Sequence, residues 1–224
     1  MATERTSRPL AVLAVFCGIG LGGAEFAITR PTPAPEVELT GSTQLPDQTT
    51  DAVSFLKAWD RFRNATFVVD LRYERRVTGI DEPLVGPGRI VQQPPVRVTL
   101  GFGGQSVMTG EGEHSYAGVG DGEACTAVNE SDPYRVQVAR ELSAFSHLLS
   151  GTAPVYRVAS TGSGCYSFTL YRAVGLPPYG DRALFCFDPA SGAMTLYETV
   201  SAAGRDRVTA TEVRTQVLPE DLEG

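Results

Sequence analysis

From Phe67 onward apolar residues recur at every second position: Phe67, Val69, Leu71 and Tyr73 alternate with Thr66, Asp70, Arg72 and Glu74. A period of two sends successive side chains to opposite sides of an extended backbone, so this stretch predicts a strand with one apolar and one wet face. Further strands are predicted near residues 84–92, 95–102, 104–109, 113–118 and 123–128, and again at 155–159, 164–173, 183–188, 193–200 and 208–217. Gly and Pro punctuate them, Pro94-Pro95 belongs at a turn or sheet edge, and Pro189-Ala-Ser-Gly192 is a turn. The sum is about eleven short strands, which as consecutive antiparallel neighbours make one large curved sheet whose apolar face needs a helical cover.

Two segments supply that cover. Thr50 or Asp51 is placed to cap a first helix in which Ala52, Phe55, Leu56, Trp59 and Phe62 share one face. Ser131 or Asp132 is placed to cap a second, with Pro133 at its first helical position, an apolar stripe of Tyr134, Val138, Leu142, Phe145 and Leu149, and an end at about Ser150 before Gly151. The order helix, strands, helix, strands is an α+β arrangement.

Ahead of this domain, Arg5 and Arg8 precede an uncharged run from Leu10 to Ala24. About 15 apolar residues suit a secretory signal better than the roughly 20 of a membrane-crossing helix. Gly22 and Ala24 fit the −3 and −1 positions of a cleavage site, while Glu25 at an outer interface fits a retained anchor, so residues 1–29 are expected to be a signal peptide or a membrane anchor. The Phe16 before Cys17 is too bulky for a lipidation signal. Gly18, Gly20 and Gly23 spell G-x-G-x-x-G with no strand before them, so they read as packing glycines. Residues 30–50, rich in Pro, Thr and acid, read as a semi-extended linker, and residues 51–224 as the folded domain.

Composition narrows the function classes. The 224 residues carry 19 Lys and Arg against 26 Asp and Glu, a net charge of −7. Lys57 is the single lysine. A basic surface for nucleic acid is therefore not expected. Glu4, Arg5, Arg8 and Glu25 cancel within the first 29 residues, so the exported part keeps the whole deficit and should not adhere to anionic headgroups by charge. With His114, beside Glu111 and Glu113, and His147 as the two histidines, no nucleophile, base and orienter can be assembled, and G-x-S-x-G, H-E-x-x-H and P-loop motifs are absent. The chain is expected to be no enzyme, with no cofactor and no metal. Cys125, Cys165 and Cys186 make an odd count of exported thiols. Cys165 and Cys186, on neighbouring predicted strands, are expected to form a disulfide, with Cys125 either free or pairing in place of one of them.

Several local patterns resemble the LolA/LppX-like superfamily of periplasmic lipoprotein carriers and mycobacterial lipid-carrier lipoproteins. They are Ala65-Thr66-Phe67 opening the first strand after a helix, Gly88-Arg-Ile-Val-Gln-Gln-Pro-Pro95, Val107-Met-Thr-Gly110 followed by His114-Ser-Tyr116, and Val213-Arg-Thr-Gln-Val217. The resemblance, which in element order covers residues 51–222, implies a single open antiparallel half-barrel with two covering helices around a hydrophobic cavity for acyl chains. It implies a lining of Phe67, Val69, Leu71, Val98, Leu100, Met108, Phe168 and Leu170, with Trp59, Phe62, Leu142 and Phe145 as the lid. The arginine that ties the lid in lipoprotein carriers is replaced here by Gln93.

The function that follows is an exported, membrane-tethered or secreted binding protein holding a lipid or a lipoprotein acyl chain, at the outer face of the cytoplasmic membrane if the anchor is retained. The alternative is an envelope sensor or protein-interaction domain with the same fold and no lipid. Expected partners are accordingly a lipid or acylated protein, an envelope protein, and the membrane through the N-terminal segment.

Overall fold

Thr49 opens the folded region: its hydroxyl accepts the Ala52 N–H at 3.3 Å, and α1 (Thr50–Asn64) follows. The computed structural model describes residues 49–101, 104–119, 123–127, 132–151, 153–172 and 175–222. The expected signal or anchor and most of the linker lie outside them. Among the described residues no helix is long and apolar enough to cross a membrane. The cap is thus Thr49, ahead of the expected Thr50 or Asp51. Asp51 instead sits in the first turn, where its charge favours the helix N-terminus.

The strands are β1 (Phe67–Val77), β2 (Leu84–Gln93), β3 (Val96–Gly101), β4 (Gly104–Met108), β5 (Glu113–Val119) and β6 (Glu123–Ala127) before the second helix. After it come β7 (Tyr156–Gly162), β8 (Cys165–Leu170), β9 (Arg182–Phe187), β10 (Met194–Ser201) and β11 (Gly204–Arg214). They form one antiparallel sheet of eleven strands in the order β6-β5-β4-β3-β2-β1-β11-β10-β9-β8-β7. Two meanders therefore meet where the first strand pairs with the last, and β6 and β7 remain unjoined edges, so the sheet is an open half-barrel. β11 begins well before the expected residue 208. Its early part is a polar ladder in which the Arg75 guanidinium grips Asp206 at 2.7 and 2.8 Å, and polar cross-strand pairs carry a strand where an apolar alternation is missing. Gly204, at φ +145°, makes this start: a Cβ there would meet the Arg76 carbonyl oxygen at 2.0 Å.

The second helix, α2 (Tyr134–Leu149), starts one residue later than expected. Pro133 occupies the cap position with no side-chain cap, and Asp132 is instead ion-paired with Arg140. Ser131, the other expected cap, lies outside the described residues. A short α3 (Pro219–Leu222), not foreseen, closes the chain.

The sheet buries both faces. On the helix side Phe55, Trp59 and Phe62 of α1 and Phe145 and Leu149 of α2 pack on Phe67, Val69, Leu71, Ile90, Tyr166, Phe168, Phe185 and Phe187. On the other side Val68, Val91 and Val98 form a second layer, joined by Leu100, Val107, Val217 and Leu222. Cys165 and Cys186 stand opposite each other on β8 and β9 and are joined as a disulfide. Cys125 falls in β6, and its side chain lies outside the described residues.

Candidate functional site

The expected lining separates into three groups. Phe67, Val69, Leu71 and Phe168 are buried together with Trp59, Phe62 and Phe145, and Leu142 and Leu170 pack at the margin. Met108 joins an adjoining group with Tyr134 and Val138, again flanked by Leu142. Val98 and Leu100 do not belong: they lie on the opposite face, under the C-terminal segment. The turn at Pro94-Pro95 is the reason. It pairs Gln93 with Val96 and so sets Arg97 opposite Gln92 and Val98 opposite Val91, and one step of register changes the face of every side chain on a strand. The helix side of β3 thus begins with Arg97.

The space under α1 is filled by rings. Phe55 lies between 4.8 and 6.2 Å, centroid to centroid, from Phe168, Phe145, Phe185, Tyr166, Trp59 and Phe187. Most of these contacts are edge-on or tilted, the arrangement that ring quadrupoles favour. The alternation Ala183, Phe185, Phe187 on β9 signals two of these six rings in the sequence. Tyr179 adds a ring stacked on Phe145 at 5.2 Å, from the connection before β9. A depression of about 620 Å³ lies on the other face, between Val85, Pro87 and Leu100 with Asp70 and Arg89 at hand.

Beside the rings lies a buried polar cluster that joins both helices to the sheet. Glu141 of α2 accepts the Trp59 indole N–H at 3.0 Å and faces the Arg63 Nε of α1 at 3.1 Å. The Arg63 guanidinium lies over the Tyr134 ring at 5.0 Å and reaches the Met108 sulfur at 3.5 Å, while the Tyr134 hydroxyl donates to the Arg63 carbonyl. Gln92 donates to the carbonyls of Phe62 at 2.5 Å and Ala65 at 2.9 Å, where α1 ends, and accepts from Arg97 Nη1 at 2.6 Å. Arg97 covers the Phe62 ring at 5.0 Å. The helix is therefore tied to the sheet by Gln92 with Arg97 behind it, and Gln93, where the family resemblance put the tie, is exposed. Burial, and Arg63 beside it, lower the Arg97 pKa to about 9. Burial likewise raises that of Tyr134. Arg63 Nη1, Arg97 Nη2 and Glu141 Oε1 are buried without a hydrogen-bond partner among the described residues.

For covalent chemistry the described residues offer little. His147 is exposed on α2, its Nδ1 2.7 Å from the Ser143 carbonyl, and no group of His, Cys, Asp and Glu is placed to hold a metal among the described residues. The His114 side chain lies outside them.

No family model and no curated protein matches the chain. Solved structures do resemble it. The Pseudomonas aeruginosa MucA/MucB complex matches at 14% identity over 75% of this chain and 58% of that one, with a TM-score of 0.41. LprF from Mycobacterium bovis matches at 11% over 78% and 99%, with a TM-score of 0.38. A LolA superfamily protein from Nitrosomonas europaea matches at 9% over 77% and 96%, with a TM-score of 0.33. The chain spans about three fifths of the MucB chains it matches. The superfamily named from the sequence is thus among its structural neighbours.

Proposed function

We propose that this chain is an exported, non-enzymatic binding domain of the cell envelope that takes up an acyl chain, of a lipid or a lipoprotein, on the helix-covered face of its half-barrel. The observation that supports this reading is the fastening of α2 over an aromatic face through Glu141, at a point where buried polar atoms keep unmade hydrogen bonds. Each such group costs about 1–3 kcal/mol while it stays dry. Lifting α2 hydrates those groups and bares the rings, and an acyl chain restores the apolar cover at about 0.8 kcal/mol per methylene. Native mass spectrometry and solvent extraction of the full chain, purified from a bacterial envelope, test it. Retained acyl lipid is the expected result, and a chain that carries none and loads none overturns it.

A second reading, a protein-interaction or sensor domain that never holds lipid, is favoured by the ring packing around Phe55, which fills the closed interior. Envelope cross-linking that returns a stoichiometric protein partner with a lipid-free domain selects it.

A further inference from the structure

Arg97 has 2% of its surface exposed, and among the described residues no carboxylate lies within ion-pairing distance of it. Its partners are the neutral Gln92 amide and the Phe62 ring, and its Nη2 has none. Arg63, wholly buried, is the charge that most opposes it, and Arg63 Nη1 is also unpartnered. Glu141 and Glu113 offset this only in part and from beyond ion-pairing distance, and the Glu141 oxygen that is engaged serves Trp59 and Arg63 Nε. Glu113, the other carboxylate of this quarter, takes the Ser106 hydroxyl. A buried guanidinium without a counter-ion is costly for a fold to keep. A guanidinium buried there with a donor left unused points to an anion that arrives from outside.

We propose that Arg97 and Arg63 receive the anionic head of an amphiphile whose acyl chain lies along the adjoining rings. The inference rests on the reading of the domain as an acyl-chain binder. Its geometry is compact. Arg97 covers Phe62, Phe62 stacks on Phe67 at 5.8 Å, and Trp59 stands 5.4 Å from Phe62, so head and tail sites adjoin without a gap. Two guanidinium groups with unused N–H donors match the oxygens of a carboxylate or a phosphate, through charge-assisted hydrogen bonds.

Equilibrium binding to the full chain, measured for palmitate and phosphatidic acid against 1-hexadecanol and diacylglycerol, tests it. Both anionic ligands, or the one whose head is the true one, should bind at least about tenfold more tightly than their neutral counterparts. Preference for palmitate identifies a carboxylate head and preference for phosphatidic acid a phosphate head. Arg97→Gln should shrink the anionic-to-neutral ratio to within about threefold, and Arg97→Lys should restore part of it. Saturable binding of all four ligands with a ratio near one in the unaltered chain overturns the head-group site and leaves the acyl-binding reading standing. Binding of none overturns both. The ratio in the unaltered chain decides the matter even if Arg97→Gln fails to fold.

Discussion

Two arginines that share one cluster should behave differently when their charge is removed. Arg63→Met strands Glu141, which is 16% exposed, and should cost about 2–3 kcal/mol of unfolding free energy, because the carboxylate loses its guanidinium without reaching full hydration. Arg97→Met leaves no carboxylate behind and should change that free energy by less than about 1 kcal/mol, since the hydrogen bond lost to Gln92 is offset by the buried charge removed. Urea titration of both variants checks the contrast, and equal losses would show that Arg97 is as structurally committed as Arg63. These residues were hard to read in the sequence. Val96-Arg97-Val98-Thr99-Leu100 alternates cleanly, and choosing its apolar residues for the lining puts Val98 and Leu100 inside, but the Pro94-Pro95 turn fixes the opposite phase. Period alone states that a strand has two faces; only the pairing partner states which is covered. Phe67, Val69 and Leu71 were legible because the cover over them, Trp59 and Phe62, is itself periodic and close in the chain.

At the scale of elements, the strands were legible nearly one for one, because turns with strong chemistry separate them. Helix termini were less so: the Thr49 cap competes with two neighbouring candidates, and the expected Asp132 cap is drawn off to Arg140. The short α3 carries no periodic signal and exists through one carboxylate. Asp221 accepts from Arg214, from Arg89 at 2.7 Å and from the Leu218 N–H at 2.8 Å, and so clamps Val217 and Leu222 over Val68, Val91 and Val98. The Arg214 hydrogen bond, then the Leu218 N–H, holds the Asp221 pKa below its ordinary 3.8. A carboxyl lowered on folding stabilises the fold above its unfolded pKa, and that contribution is lost as pH falls through the lowered value. Protection of residues 215–222 against hydrogen exchange, relative to the intrinsic rate, should therefore fall below about pH 4 ahead of that of the central strands, and Asp221→Asn should show the low protection already at neutral pH. Protection that is uniform across both regions at low pH would refute the clamp.

At the scale of the molecule, the helix side of the sheet concentrates tyrosines as well as phenylalanines. Burial raises the pKa of Tyr156, Tyr166, Tyr179 and Tyr197, and burial together with Asp206 pushes Tyr73 up to about 12. Below pH 10 folded and unfolded tyrosines alike keep their protons; above it the unfolded chain sheds protons that the folded one retains, so stability falls as pH rises from about 10 to 12. Arg97, lowered to about 9, acts in the opposite sense over this range, but as one group against these five tyrosines and Tyr134. Alkaline titration followed by near-ultraviolet circular dichroism should show cooperative unfolding above about pH 10, with the tyrosinate absorbance of these buried tyrosines appearing only as the fold is lost. Tyrosines that ionise at their usual pH in a folded chain would contradict the burial.

The seam between β1 and β11 bears on how such a chain is made. Each meander is assembled from near neighbours, yet the strand completed first waits for the one completed last, and the rings of β8 and β9 that enclose Phe55 and Phe62 are also distant in the chain. During synthesis the leading half emerges with one flank of β1 unpaired and its greasiest side bare. Such a chain either remains unfolded until its tail arrives or depends on a holding partner in the interval, and a circular permutant opened between β6 and α2, which makes the seam local, should not need one.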